Sequence, residues 1–491
     1  MIHMLENGDF SIIMVIFCSL SSLLWPILIS HKSRLHIFGI IVHSAALLYL
    51  LFIILDSVNI AGASYIIHFP AVNGFELILK ASKIGILFSM LIILLWPAAY
   101  IYSVGYLSAA QDKDISRFLL FLNLSIICGV ILSFAGDLLT MFIMYECLTL
   151  STLPLVGHNY SLHVNKAVKK YMLYLLLGSI CLWLPSILYI KHSIGDLEFA
   201  ANGIAAINSL KSKELIIIFI FTICGVAKAA IFPMHSWLPE AMAANYPTSA
   251  ILHAVLVVNS GIYCLYKIIS EIFGYEVMFG MLSQNLWIYY IVLFGVFYSG
   301  IIAMFQKTVK KILAWSTVNQ LNVIFLTMLS QGAMLKNLAM SNLLYHSFCK
   351  ISLFFCAGAI YSCNYATRLE EFRNSYKKYK LEFCLFILAA LLLNGIPICS
   401  FDEYKRITLT LASEHSNDAT ILAVIASSVF SFIYLGKIIM EMSVSDAEIL
   451  EAEQKHHRPS LYIRISTIYC VALAVIMFKY YPDLYQYMKD F

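Results

Sequence analysis

A lysine inside an apolar run is the first residue of this sequence that could do chemistry. Lys228 lies in GVAKAAIFPMHSWLPEA, and a lysine at membrane depth costs at least about 2.5–3.5 kcal/mol on insertion scales. Pro233 cannot donate its backbone N–H and crowds the carbonyl of Ala229, so we expect the helix to break just beyond the lysine. Broken backbone at this depth is tolerated only where protein or a water-filled cavity satisfies it. A buried cation beside a broken, hydrated helix predicts a proton-handling site.

A carboxylate occupies the middle of another apolar run. Glu146 lies about nine residues from either end of GDLLTMFIMYECLTLSTLPLVGH, which places it close to the bilayer midplane. Such a group must be protonated, paired or hydrated. A pair with Lys228 could act as a switch, because an opposing carboxylate favours the charged lysine whereas desolvation favours the neutral one. The alternative is a static ion pair that locks two helices together.

Histidines and a second lysine lie in two further apolar runs. Asn342, His346 and Lys350 are spaced by four in NLLYHSFCKISLFFCAGAIYS, so they share one helix face, which predicts a hydrated interior. His253 lies in SAILHAVLVVNSGIY, where its titration range suits proton transfer, although a satisfied structural histidine is an alternative. His346 and Cys349 are too few ligands to argue strongly for a metal.

A third lysine follows a second predicted helix break. Pro397 in LLLNGIPICSFDEYKRITL should end its helix, and Lys405 comes eight residues later. Asp402 and Glu403 could instead pair with Lys405 and Arg406 and make this segment a loop anchor.

The composition requires a membrane around these groups. Of 491 residues, 61% are hydrophobic and 12% charged, whereas soluble domains are about a quarter charged. The twelve cysteines are scattered without a C-x-x-C motif, which favours buried hydrophobes over iron–sulfur ligands or disulfides. The sequence has no P-loop and no dinucleotide fingerprint. We therefore expect no cofactor and no nucleic-acid partner, and any redox chemistry would belong to another subunit.

The apolar runs predict an all-α polytopic membrane protein with about fourteen transmembrane helices. They centre near residues 20, 45, 93, 125, 147, 181, 224, 260, 296, 321, 351, 390, 428 and 471. Loops after odd-numbered spans carry roughly twice the Lys and Arg of the other loops, which predicts that both termini are non-cytoplasmic. Residues 1–9 hold no Lys or Arg, so the first run is expected to be a retained span.

Three strings resemble one family. KAAIFPMHSWLPEAM, PTSAILHA and GIYCLYK together resemble the core signature of the proton-translocating antiporter-like subunits of respiratory complex I (NADH-quinone oxidoreductase) and of multisubunit Mrp-type cation/proton antiporters. KKILAWSTVNQL resembles that family's K-x-x-L-A-Y-S-T-x-x-Q, where Ser316, Thr317 and Gln320 could hydrate a crossing or simply join helices. The resemblance covers roughly residues 100–440 and implies two inverted five-helix repeats with broken helices.

The resemblance also implies roles for individual residues. The implied proton axis consists of Glu146, Lys228, His253, His346, Lys350 and Lys405. Lys170 matches a family lysine, but it could equally be a positive-inside anchor. The sequence departs from the family at four positions, which puts a complete relay in doubt: Asn259, Asn342, Phe401 and Asp402.

The implied organisation is one membrane domain with four regions. These are helices 1–3 (1–110), a first antiporter-like half (111–275), a second half (280–440), and a cytoplasmic segment with the last span (441–491). Within this last region the polar stretch 441–459 is expected to form a short surface helix.

The favoured function is a proton-translocating subunit of a cation(Na⁺)/proton antiporter complex in the cell inner (plasma) membrane, with other hydrophobic subunits as partners. The end of the chain soon after span fourteen favours a medium-sized antiporter subunit. The alternatives are a non-redox complex I subunit, a lone secondary transporter, and a transport-inactive scaffold.

Overall fold

The computed structural model describes residues 7–28, 35–61, 65–70, 76–159, 161–395, 403–445 and 458–489. Nearly all regular structure in these residues is helical. This is the expected solution in lipid, because a helix satisfies its own backbone hydrogen bonds.

Eleven helices of the described residues are long and apolar enough to cross a membrane. All fourteen predicted centres fall within helices, but three of those helices are shorter than a full span: Asn7–Ser21, Ser212–Gly225 and Lys380–Asn394. The all-helical multi-pass fold is therefore confirmed, whereas the count of fourteen stays a prediction.

The N-terminal helices precede a small hairpin. The elements are α1 (Asn7–Ser21), α2 (Leu24–Leu28), α3 (Leu35–Ala61), β1 (Ile66–Pro70), β2 (Glu76–Lys80) and α4 (Lys83–Ala109). The antiparallel strands pair Ile66 with Lys80 and Pro70 with Glu76. The sequence analysis did not predict this hairpin.

The next region contains the predicted first break. Its α-helices are α5 (Ile115–Ser133), α6 (Leu138–Val156), α7 (Leu162–Met172), α8 (Leu184–Ile194), α9 (Ser212–Gly225), α10 (Trp237–Glu240), α11 (Tyr246–Ala250) and α12 (Val257–Lys267). Two π-helical turns, Leu173–Leu177 and Ser179–Trp183, join α7 to α8 in one span. Two more, Ile251–Val255 and Ile268–Phe273, make Tyr246–Phe273 a single 28-residue span.

The remaining helices complete the bundle. They are α13 (Tyr275–Ser283), α14 (Trp287–Phe305), α15 (Val309–Leu329), α16 (Ala333–Asn364), α17 (Ser375–Lys378), α18 (Lys380–Asn394), α19 (Glu403–Glu414), α20 (Asp418–Ser443), α21 (Leu461–Lys479) and α22 (Tyr481–Lys489). Short 3₁₀ turns lie at Ala205–Ser209, Ala227–Ala229, Ala241–Ala243 and Leu369–Phe372. Pro397 and most of the polar stretch 441–459 lie outside the described residues.

Burial separates central helices from peripheral ones. The most apolar windows of Tyr246–Phe273 and Met334–Asn364 are 100% buried, whereas that of Leu461–Lys479 is 33% buried. Large apolar side chains such as Phe52 and Phe432 are exposed on peripheral helices, which is normal for surfaces in contact with lipid or neighbouring subunits. The predicted His253 and Lys350 therefore belong to the two most enclosed helices.

Candidate functional site

The helix that carries Lys228 breaks earlier than predicted. α9 ends at Gly225, and Lys228 lies in the 3₁₀ turn Ala227–Ala229, so the expected break just beyond the lysine is wrong in position. A Cβ on Gly225 would lie 2.5 Å from the backbone nitrogen of Trp183. Gly225 thus packs closely on another span, and the backbone turns through the left-handed Ala230 (φ 50°) before it reaches Pro233.

Side chains satisfy the backbone that the break frees. The Tyr145 hydroxyl accepts from the Lys228 N–H at 2.9 Å, and Trp237 Nε1 donates to the Ala227 carbonyl at 2.9 Å. The Asn322 Oδ1 accepts from the Phe232 N–H at 3.0 Å. The break is thus held by protein groups, as membrane depth requires.

The Lys228 ammonium is fully buried among neutral acceptors of α6. It donates to the Thr149 hydroxyl at 2.6 Å and to the Tyr145 carbonyl. It also lies 3.1 Å from the centre of the Tyr145 ring, where the ring face attracts a cation. The hydrogen bonds of the lysine are therefore made to groups other than a carboxylate.

Glu146, on the same helix, is held by a different group. Its Oε1 accepts from the Ser179 hydroxyl at 2.5 Å, and its buried Oε2 has no hydrogen-bond partner. No ion pair joins Glu146 to Lys228 in this structure, although the two charges are close enough to interact electrostatically. The predicted ion pair is therefore absent in this structure, and one oxygen of the carboxylate is without a hydrogen-bond partner.

The second centre contains Lys350 and the two predicted histidines. The buried Lys350 ammonium donates to the Ser316 hydroxyl and to the Leu313 carbonyl at 3.4 Å. His253 and His346 are also buried, and none of their four ring nitrogens has a hydrogen-bond partner. Lys350 interacts electrostatically with both imidazoles. The structure thus brings together three residues that the sequence could only place on two separate helices.

The two asparagines that depart from the family pattern lie beside these histidines in the chain. Asn259 is buried and its Nδ2 donates to the Ser347 hydroxyl at 2.9 Å, which joins the helix of His253 to α16. Asn342 is on α16 one turn before His346, and its buried Nδ2 has no partner. The predicted single polar face of Asn342, His346 and Lys350 is confirmed as one buried face of one helix.

Lys405 lies apart from both centres, near the start of α19. Its ammonium donates to the carbonyl of Asn394, the last residue of α18, at 2.6 Å. The neighbouring Arg406 pairs with Glu403, as the sequence allowed. Phe401 and Asp402 lie outside the described residues. The carbonyl contact places Lys405 against the end of the helix that was predicted to break.

A cavity of about 840 Å³ opens at one end of the helices. Its lining includes residues from the last turn of α4, the start of α7 and the end of α16. Lys310 lies at its wall, donates to the Ala244 carbonyl and sits 4.7 Å from the ring of Tyr246. Tyr246 begins the span that carries His253, and Lys310 interacts electrostatically with that histidine. The cavity therefore leads toward the second centre.

Two further sequence candidates are Lys170 and the His346–Cys349 metal site. Lys170 forms a 3.7 Å ion pair with Glu240, and both side chains are substantially exposed. His346 and Cys349 gain no further metal ligands, since the described residues contain no group of three or more His, Cys, Asp or Glu side chains suited to a metal.

Sequence reasoning missed four residues of these centres. Tyr145, Thr149, Ser179 and Lys310 hold the charged groups or line the route to them. Thr149 carried a usable signal, because it lies three residues after Glu146 on the same helix face. Lys310 begins the string KKILAWSTVNQL, but its contacts with Ala244 and Tyr246 become visible only when the helices are packed. Tyr145 and Ser179 carried no comparable signal.

Comparison with known proteins places the chain. Residues 135–431 match the family described as NADH:quinone oxidoreductase/Mrp antiporter, TM. The chain belongs to this family. The resemblance inferred from the three strings is confirmed.

Named relatives come from both branches of this antiporter-like family. The chain is 25% identical over 504 residues to "Na(+)/H(+) antiporter subunit A1" of Staphylococcus haemolyticus (strain JCSC1435), which covers 96% of this chain and 61% of the relative. It is 28% identical over 368 residues to "NADH-quinone oxidoreductase subunit L" of Rickettsia bellii (strain RML369-C), with 72% and 55% covered. The chain thus spans less than two thirds of the length of these relatives.

Solved structures support the same fold. A chain of the Mrp complex from Dietzia sp. DQ12-45-1b superimposes with a TM-score of 0.82 and 19% identity over 99% of this chain and 96% of that one. A chain of an archaeal membrane-bound sulfane sulfur reductase gives 0.80 with 20% identity over 98% and 96%. The antiporter-like family member described here therefore shares its whole architecture with subunits of membrane complexes.

Proposed function

We propose that this protein is a proton-translocating subunit of a multisubunit cation/proton antiporter complex in the plasma membrane, with Na⁺ or another monovalent cation as the exchanged ion. The observation that carries the proposal is the pair of buried lysines, Lys228 and Lys350, each held by hydroxyl and carbonyl oxygens. Two buried ammonium groups without ion-pair partners are costly in a membrane interior. Ionisable groups at such positions typically mark functional sites.

The first centre supports a loading step. Glu146 has one oxygen on Ser179 and one free, and Lys228 is held one turn away on Thr149. If the Ser179 contact opens, the carboxylate can approach Lys228 and stabilise its charge. If it closes, Lys228 faces only neutral groups and releases its proton more readily. The exchange of partners therefore couples a small motion to proton affinity.

The second centre supports transfer. His253 and His346 are neutral acceptors next to Lys350, and their unpartnered nitrogens make this interior favourable for hydration. The cavity reaches Lys310 and Tyr246, and Tyr246 begins the span that carries His253. Protons would move between the cavity, the imidazoles and Lys350, while Lys405 would end the axis beyond α18. The Lys and Arg distribution supports a cytoplasmic location for the cavity.

The two relatives point to two kinds of membrane complex. The relative named NADH-quinone oxidoreductase subunit L favours, as a second candidate, a non-redox subunit of a complex I-like assembly. The relative named Na(+)/H(+) antiporter subunit A1 aligns over more of the chain. For this reason the antiporter complex is the primary proposal.

A transport measurement tests the proposed activity. In everted vesicles from cells that make the protein, a pH-sensitive dye should report cation-driven proton movement, and Glu146→Gln and Lys228→Ala should each reduce its rate roughly 100-fold or more. Wild-type rates in both variants would contradict the proposal and favour a transport-inactive scaffold.

A gentle-detergent pull-down from the native membrane identifies the branch. Small hydrophobic subunits without flavin or iron–sulfur proteins are expected for the antiporter complex. Co-purified NADH- or quinone-reactive subunits would assign the chain to a complex I-like assembly, and a solitary active chain would indicate a lone transporter.

A further inference from the structure

A buried ion pair lies at the end of the helices opposite the cavity, and the proposed axis does not use it. Lys267 and Glu271 pair across one turn of the span Tyr246–Phe273, with side chains 1% and 16% exposed. The cavity lies at the Tyr246 end of this span. Glu271 belongs to a π-helical turn, a local distortion that is frequent at functional sites. The pair thus combines an enclosed lysine with a carboxylate that reaches solvent.

The surroundings concentrate positive charge on this one carboxylate. Lys267 lies 4.5 Å from the ring of Phe199, and Lys80 donates to the carbonyl of the same Phe199 at 3.1 Å. Lys336, at the start of α16, also interacts electrostatically with Glu271. Lys267 and Lys336 therefore both act on the Glu271 carboxylate, and Lys80 adds a third positive charge beside Lys267.

The same span places Lys267 close to the first centre. A Cβ on Gly261 would lie 2.1 Å from the backbone nitrogen of Ala229, so the broken segment with Lys228 rests directly on this glycine. Lys267 follows Gly261 by six residues, which is about 9 Å along a helix. The Lys228 segment therefore packs against this helix, and the Lys267–Glu271 pair lies on the same helix further along its axis.

Hydroxyl groups lie between these two levels. Tyr263, two residues after Gly261, is buried and donates to the Ser133 carbonyl at 2.8 Å. The hydroxyls of Ser133 and Ser89 pair with each other, and Tyr263 interacts electrostatically with Glu271. This polar strip along α4, α5 and α12 offers donors and acceptors in an otherwise apolar interface.

We propose that Lys267 and Glu271 form a proton-release gate for the Lys228 centre, at the end of the first half opposite the cavity. The gate rests on the proposed function. In its working step an N–H bond of the Lys267 ammonium breaks and an O–H bond forms on Glu271, leaving a neutral amine and a carboxylic acid. Glu271 then gives its proton to water, and Lys267 takes a new one that originates at Lys228 and passes through the hydroxyl strip.

An arginine substitution separates a gate from a static ion pair. Lys267→Arg keeps the positive charge beside Glu271, but a guanidinium does not release its proton. We expect at least a roughly tenfold slower proton movement in everted vesicles, with the protein still present in the membrane. Lys213→Arg, at an exposed position near the start of α9, is the matched control and should keep the wild-type rate.

A neutral double variant covers the possibility that arginine does not fit. Lys267→Gln with Glu271→Gln removes both charges while leaving two groups that can hydrogen-bond each other. We expect normal membrane levels and melting temperature with at least a roughly tenfold slower rate. Wild-type rates in Lys267→Arg or in the double variant would overturn the gate.

Glu146→Gln in the same vesicles distinguishes the two proposals. If Glu146→Gln is inactive while Lys267→Arg transports normally, the proposed function stands and the gate is wrong. If both Glu146→Gln and Lys228→Ala transport normally, the proposed function fails.

Discussion

The Lys228 and Lys350 centres solve the same problem with different neighbours. Both ammonium groups are fully buried and donate to a serine or threonine hydroxyl and a backbone carbonyl. Lys228 interacts with Glu146, which lies one helix turn before its hydroxyl partner on α6. Lys350 interacts instead with His346, one turn away on α16, and with His253. The difference is one of neighbours: a carboxylate accompanies the first lysine, and two imidazoles accompany the second.

The most severe test of this comparison removes the second lysine. Lys350→Ala should reduce proton movement roughly 100-fold or more, the same loss expected for Lys228→Ala, because both centres would act in series. Lys437→Ala is the matched control, since this lysine also donates to carbonyls, those of Met304 and Gln306, but at a helix end. A rate near wild type for Lys350→Ala would mean that the first centre works alone.

The packing that supports the first centre gives the next largest effect. Gly261→Ala should lower the melting temperature and the transport rate, because its Cβ would overlap the Ala229 backbone and overpacking costs about 1–3 kcal/mol. Gly280→Ala, where a Cβ meets nothing within 4 Å, should change neither quantity. Equal melting temperatures for the two variants would show that the broken segment does not depend on this contact.

Removing one hydroxyl at each centre sharpens the comparison. Ser179→Ala leaves the Glu146 carboxylate without its donor, and Ser316→Ala removes an acceptor from Lys350. Each loss should cost about 1–3 kcal/mol at the group affected and slow transport roughly tenfold. Ser179 acts through Glu146, whereas Ser316 does not. The double variant Ser179→Ala with Glu146→Gln should therefore transport no more slowly than Glu146→Gln alone. An additive loss would contradict the partner exchange.

The smallest effect is expected at the surface. Glu240→Gln breaks the exposed 3.7 Å pair with Lys170, and such pairs contribute about 0–1 kcal/mol. The transport rate should therefore stay within roughly twofold of wild type. A loss as large as that of Glu146→Gln would give Lys170 the functional role implied by the family resemblance.

Local patterns predicted the parts of the fold that depend on neighbours in sequence. The face of Asn342, His346 and Lys350 was predictable because helical spacing is fixed over two turns, and α16 continues through all three. The broken helix was also predicted, but it ends at Gly225, where the backbone packs on Trp183 of another span. Pro233 lies eight residues further on and gave the wrong end point, because a local rule for proline takes no account of packing between spans.

Partners from distant spans could not be predicted. Lys228 is held by Tyr145 and Thr149, more than seventy residues earlier, and the sequence favoured Glu146 as its partner because opposite charges attract. The packed structure instead turns Glu146 toward Ser179. Charge pairing singled out two residues that are close in the structure, whereas only packing decides which atom each group contacts.

The bond between the Phe232 N–H and the Asn322 side chain has a consequence for biosynthesis. Asn322 follows Phe232 by ninety residues, so the ribosome has not yet made it when the broken segment first reaches the membrane. Until α15 is inserted, that N–H has no access to its native acceptor, and an unsatisfied backbone group in lipid costs several kcal/mol. The broken segment can therefore reach its native hydrogen bonding only after α15 has been inserted. A fragment that stops at residue 275 would lack the acceptor for the Phe232 N–H.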